Sequence, residues 1–200
     1  MHEDSSPYKF GIPDPRYSAK WRRNADACYG VSYQYDDIFQ SEQIADAKRL
    51  KIAAKGNHVD LLIKLLEQFP EPFRILYILR IPHSKIEAAR YQSQNPLNKK
   101  EIVTFLKNFS EFFESDARAD IWIKAYSDPS MLVYEHHNLI FAYGDISSIG
   151  ETLRTCGLTE GHIELPFPHD HHYNPELDHY EIGIMKVWDW IKTPLMPEDF

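Results

Sequence analysis

The stretch from Phe73 to Gly144 most constrains what this chain can fold into. FRILYILRI, which starts at Phe73, is too apolar and too rich in Ile and Tyr for a surface strand, so it belongs inside a sheet and ends at Pro82. Further on, DIWIKAY, MLVYE and LIFAYG alternate apolar and polar residues, with SDPS and HHN as turns between them. That pattern predicts a three-stranded antiparallel meander. Between the central strand and the meander, Asn98 and Glu101 stand at capping-box spacing. Ile102, Phe105, Leu106, Phe109, Phe112 and Phe113 then repeat with the 3.6-residue period of a helix that covers the sheet.

The flanking segments extend this plan. DIFQSEQIADAKRLKIAAK, from Asp37 to Lys55, is rich in helix formers, and Gly56 and Asn57 supply a stop and a new start for the helix HVDLLIKLLEQF. HSKIEAARYQSQNPL reads as a loop. After the meander, Ile146, Ile149, Leu153 and Cys156 mark one face of a short helix that ends at Gly157, and HIEL reads as a strand. Asn174-Pro175 starts a last helix with Leu177, Ile184, Trp188 and Ile191 on its buried face, stopped at Thr193-Pro194. The predicted order is α-α-β-α-β-β-β-α-β-α. It defines an α+β fold, a mostly antiparallel sheet of about five strands covered by helices. Residues 1–35, rich in Pro, Tyr and Arg, form an irregular N-terminal arm, and residues 36–200 a single domain.

Charge narrows the partners. Residues 111–200 carry five positive and seventeen negative side chains, which repels nucleic acid and favours a basic partner. The opening residues contain no apolar run of signal-peptide length, and no later segment approaches the about 18 uninterrupted apolar residues of a membrane helix. Cys28 and Cys156 are too few for a disulfide framework. A cytoplasmic protein without a membrane partner is the expectation.

One segment carries chemistry. LPFPHDHHYNPELDHYE, residues 165–181, holds four histidines and four carboxylates. In an extended chain, residues two apart point to the same side roughly 6.6 Å from each other, so His169 and His171 can converge on one ion, with a third ligand for Zn2+ or another divalent metal from His172, Asp178, His179 or the sequence-distant pair His136 and His137. A metallo-β-lactamase HxHxDH pattern would need Asp-His where Tyr173-Asn174 stand, and an amidohydrolase HxH belongs to a longer barrel. A cupin-like spacing through Gly161, His169, His171, Glu176 and Gly183 runs into the predicted helix. Without a metal, the same loop is a polar recognition surface on which Asp170, His171, Tyr173, Glu176 and Asp178 meet a partner. His136, His137 and Asn138 read as turn residues. Arg90-Tyr91-Gln92 and Arg118-Ala-Asp120 are weak anion-binding candidates, and Cys156 reads as core. There is no GxGxxG, Walker loop, GxSxG or HExxH.

At VYEHHNLIFAYG, LPFPHDHHYNPELD and WDW, the chain resembles small uncharacterised bacterial cytoplasmic proteins, some from toxin-immunity gene neighbourhoods, over roughly residues 73–195. No catalytic motif accompanies the resemblance. Together with the acidic C-terminal part and the missing catalytic signatures, it gives a first functional expectation: a non-enzymatic immunity protein that occludes the active site of a basic toxin domain and needs no cofactor. The alternative is a metal-dependent hydrolase using the His cluster at 169–179, in which bound water is activated by the ion.

Overall fold

The computed structural model describes residues 21–23, 31–32, 35–45, 47–165 and 169–200. Its strands and helices run β1 (Trp21–Arg23), β2 (Val31–Ser32), β3 (Ile38–Ile44), β4 (Ala47–Ala53), α1 (His58–Leu66), β5 (Phe73–Leu79), β6 (Ala89–Ser93), α2 (Lys99–Asn108), α3 (Ser110–Ser115), β7 (Ala119–Ala125), β8 (Met131–Tyr134), β9 (Ile140–Tyr143), α4 (Ile146–Thr155), β10 (Thr159–Glu160), β11 (His169–His171), α5 (Asp178–Met185) and β12 (Trp190–Thr193).

The fold is α+β, with a sheet larger than predicted. Nine strands lie in the order β10-β3-β4-β9-β8-β7-β5-β6-β12, all neighbours antiparallel except the parallel pair β10 and β3. A second, three-stranded antiparallel sheet has the order β11-β1-β2. Of the predicted N-terminal arm, Trp21–Arg23 and Val31–Ser32 form strands and Tyr35 is buried; the rest of that expectation lies outside the described residues.

The meander forms as expected: β7, β8 and β9 pair in register from Ile121↔Tyr134 through Tyr134↔Ile140, and β5 sits centrally between β7 and β6. Ile75, Tyr77 and Leu79 are fully buried, each such side chain contributing about 1.5–3 kcal/mol. The capping box of α2 is made in both directions, Asn98 Oδ1 accepting from Glu101 N at 2.9 Å and Asn98 N donating to Glu101 Oε2 at 2.7 Å. Two clusters cover opposite faces of the sheet. Ile52 and Ile140 face the main core with α1, α2, α3 and α4, whereas their chain neighbours Ala53 and Leu139 join Tyr35 and Ile163 on the other side.

Four local expectations are corrected. Asp37–Lys55 is not a helix but the hairpin of β3 and β4, turning at Ala45 with φ 49°. Its Ala, Lys, Gln and Glu favour helix locally, yet Leu50 and Ile52 alternate with Arg49 and Lys51 against β9, and this pairing outweighs propensity. Glu42 and Arg49, directly opposed, pair at 2.8 Å, and Arg49 covers the Phe141 ring at 4.0 Å. The expected loop after Pro82 contains β6, with Ala89, Tyr91 and Ser93 buried. HIEL is not a strand; only Thr159–Glu160 pairs. The last helix ends at Met185, because Gln94 N binds Asp189 O at 3.0 Å and β12 joins β6. Leu177 and Ile184 are buried as predicted, Trp188 in the connection packs its ring at a tilt against Phe105 with 4.6 Å between centroids, and Ile191 is exposed.

The long aromatic helix also breaks at Phe109, whose φ of −115° and ψ of 15° separate α2 from α3. Among the described residues no helix is long and apolar enough to cross a membrane.

Candidate metal centre

The β8–β9 turn is rigid, and it carries two adjacent imidazoles. Glu135 N binds Leu139 O at 3.0 Å, and Asn138, at φ 60°, sends its N–H to Glu135 O at 3.1 Å. Tyr134 Oη donates to Asn138 Oδ1 at 2.6 Å, Asn138 Nδ2 to Glu114 O at 3.3 Å, and Tyr35 Oη to His137 O at 3.0 Å. These bonds hold the rings of His136 and His137 at 4.0 Å between centroids.

Strand β11 brings two more imidazoles to the same place. Its C-terminal continuation is tied down by Ala117 N to His172 O at 3.0 Å and Asn174 N to Asp116 Oδ2 at 2.7 Å. Behind them Arg118, fully buried, donates to Asp116, Asp178, Glu181 and the Asn174 carbonyl at 2.6–2.9 Å. A buried guanidinium with three carboxylates is stable only when its donors are used in this way.

His137 Nε2 lies 3.0 Å from His169 Nε2 and 3.1 Å from His171 Nε2. One ligating nitrogen from each of His136, His137 and His171 falls within 4.8 Å of the other two. Nitrogens bonded tetrahedrally to a zinc ion at 2.0–2.1 Å stand about 3.3 Å apart, so the observed spacing suits a shared ion after little movement.

Carboxylates stand on the other side of the rings. Glu135 Oε2 is 2.7 Å from His137 Nδ1 and 3.3 Å from His136 Nδ1, and Asp120 Oδ1 is 3.2 Å from His136 Nδ1. Asp120 Oδ2 also accepts from Arg80 Nη1, whose Nη2 donates to Ala117 O at 3.2 Å. An ionised carboxylate only accepts, so each Nδ1 carries the proton and each Nε2 presents its lone pair away from the carboxylates. Outer carboxylates of this kind fix the tautomer and raise the donor strength of metal-binding histidines.

The shifts at His136 and His171 favour neutral imidazoles. Burial pushes the His136 imidazolium down against its hydrogen bond with Asp120. Burial, followed by the neighbouring His136, His137 and His169, lowers His171 to about 4. Glu135 is buried, which favours its protonated form, but the His137 hydrogen bond and nearby imidazoles hold its pKa below the ordinary value. Asp120 is also lowered, burial being overcome by His136 and Arg80.

The structure thus unites His169 and His171 with His136 and His137, and leaves His172 and His179 outside the cluster. His172 contributes its carbonyl, and exposed His179 points Nδ1 at Glu176 O, 2.9 Å away. Of the expected recognition residues, Asp178 is tied to Arg118 at 2.7 Å and to His83 at 3.2 Å. Tyr173 is half-buried with its ring 6.0 Å from His83, Glu176 is exposed, and Asp170 stands opposite Arg22 in the β11–β1 register.

Sequence reasoning offered His136 and His137 only as a distant source of a third ligand and preferred them as turn residues, gave Asp120 no part in a metal site, and missed Glu135 and Arg80. The available signal was Glu-His-His at a hairpin tip, where a turn needs no such residues. No protein-family model, curated protein or solved structure matches the chain.

Proposed function

We propose that this protein is a metal-dependent hydrolase whose divalent ion is held by His136, His137 and His171. The observation that carries the reading is the convergence of three imidazoles backed at Nδ1 by Glu135 and Asp120. Imidazole donors suit zinc and neighbouring transition metals, and three neutral ligands leave the ion its full charge and an open position. An ion held there would lower the pKa of a bound water and so supply a nucleophile for the acyl or phosphoryl centre of an ester, amide or phosphoester, whose leaving group would depart with a proton. His169, 3.0 Å from His137 Nε2 but outside the mutually close triad, would be the base that accepts that water's proton and returns it to the leaving group.

Metal content of untagged protein by plasma mass spectrometry, followed by a screen of ester, amide and phosphoester substrates on the loaded protein, tests this. About one equivalent of a transition metal, lost in His136→Ala with His137→Ala, is expected. Protein that takes up no zinc, cobalt or nickel on dialysis overturns the metal centre, and loaded protein inert in every screen overturns the hydrolase.

A second reading, the acidic immunity-type protein that binds a basic toxin domain, is favoured by the exposure of Glu164 and Glu176 on either side of the histidine strand. Charge reversal at these two positions should weaken capture of a basic nuclease partner. Unchanged capture would remove this surface from the interface.

A further inference from the structure

The face of the nine-stranded sheet opposite the main core breaks a rule of strand pairing. Phe73, Ile75, Ile123 and Ala125 point into the core, so Arg74 of β5 and Lys124 of β7 stand on the other face. They are direct register partners, the one pair of full like charges opposed in the described strand registers. Such a pair weakens a sheet unless something negative lies over it. Among the described residues no carboxylate pairs with either side chain, although the chain has 30 Asp and Glu against 22 Lys and Arg. Asp128, in the turn after β7, uses its Oδ1 to accept from Ser130 N at 2.8 Å.

Two neighbours add to the pattern. Tyr126 is 60 % exposed, yet its backbone is fixed, its N–H donating to Pro72 O at 2.8 Å. The Arg74 guanidinium lies over its ring at 5.2 Å from the centroid. Trp122, two residues before Lys124 on the same face, has a buried Nε1–H with no acceptor among the described residues. A guanidinium, an ammonium and an indole N–H, all donors, call for a ligand built of acceptors. Phosphate oxygens suit the arginine fork, and an exposed, rigid aromatic ring suits a planar base.

The row runs on across the sheet through Met131 and Tyr143, register partners in turn of Lys124 and Met131. It is an open face, not a cavity, since Lys124 and Tyr126 are both exposed. Free small molecules are held in cavities, whereas open rows of cations and aromatics take extended strands. We infer that this face binds single-stranded nucleic acid, with one phosphate on Arg74 and Lys124 and the adjoining base stacked on Tyr126. The acidic balance of the chain does not forbid it. Asp116, Asp178 and Glu181 are spent on Arg118, Asp120 on Arg80 and Asp199 on Arg90. Salt confines the field of the remaining exposed carboxylates to about 8–10 Å. The contact needs no metal, so it stands or falls apart from the hydrolase reading.

Fluorescence anisotropy of a labelled thymidine oligomer of about ten nucleotides, mixed with the full chain in chelator at about 50 mM salt, tests the site. The native chain should bind, and its affinity should fall as salt rises. Arg74→Gln with Lys124→Gln should raise the dissociation constant about tenfold or more. The melting temperature of this variant should stay equal or rise, because the opposed like charges are gone; a merely structural role would lower it. Tyr126→Ala keeps both cations and should weaken binding about fivefold or more. No binding by the native chain, or equal binding by the double variant, overturns the inference. Tyr126→Ala that binds as well as the native chain, or displacement of the oligomer by polyglutamate at equal charge, makes the patch a general anion contact and overturns the assignment to nucleic acid.

Discussion

Glu135 and His137 are two residues apart on one turn, and they hold each other twice: His137 N–H donates to Glu135 Oε1 at 3.0 Å, and its Nδ1 to Oε2 at 2.7 Å. The backbone bond fixes the turn, and the ring bond fixes which nitrogen faces the cluster. Glu135→Gln keeps a carbonyl acceptor but removes the charge that favours a protonated Nδ1. Zinc affinity should fall about 10–100-fold with little change in melting temperature, measured by competition with a chromophoric chelator. Unchanged affinity would show that the carboxylate does not tune the histidines.

His169 separates ligation from proton transfer. His169→Ala should keep about one equivalent of metal while losing most hydrolysis, whereas His137→Ala should lose the metal. Metal loss in both variants would make His169 a fourth ligand and the site a closed one.

The metal-free protein should lose stability in mild acid. His171 is lowered to about 4 in the folded chain, below the about 6.5 of an unfolded imidazole, so the unfolded state takes up protons first. Stability is therefore full above about pH 6.5, declines as pH falls toward 4 and levels off below that. Urea denaturation of chelator-treated protein checks the slope, and His171→Asn should flatten it.

The pattern of legible and hidden elements has a physical basis. β5, the meander, α1, α4 and the cap of α2 could be read because local pattern and final environment agree. The hairpin of β3 and β4 could not, since its helix-forming residues become strand only through pairing with β9. β6 and β12 are short and depend on each other, so neither announces itself alone. The site was half legible for the same reason. His169 and His171 share a strand, but their partner His137 lies 32 and 34 residues earlier, and no spacing rule spans a fold.

Arg118 should be costly to disturb. Its charge is shared among three carboxylates, and Glu181, fully buried, has its pKa lowered by hydrogen bonds from Ser84, Arg118 and the His83 and Ser84 backbone, which overcome burial. A depressed carboxylate stabilises the fold above its unfolded pKa and loses that contribution as acid protonates it below. Glu181→Gln should cost about 3 kcal/mol at pH 7 by chemical denaturation and much less near pH 3. An equal loss at both values would show that shape, rather than charge, matters at this position.

The end of the chain has a consequence for how the protein behaves in a crowded solution. Strand β12 closes one side of the nine-stranded sheet, yet it is only four residues long, carries exposed Lys192 paired with Glu87, and runs directly into Pro194. A short, charged, proline-terminated border is a poor template for another chain. A wide sheet can thus keep its last row of backbone groups without inviting strangers to extend it into a fibre.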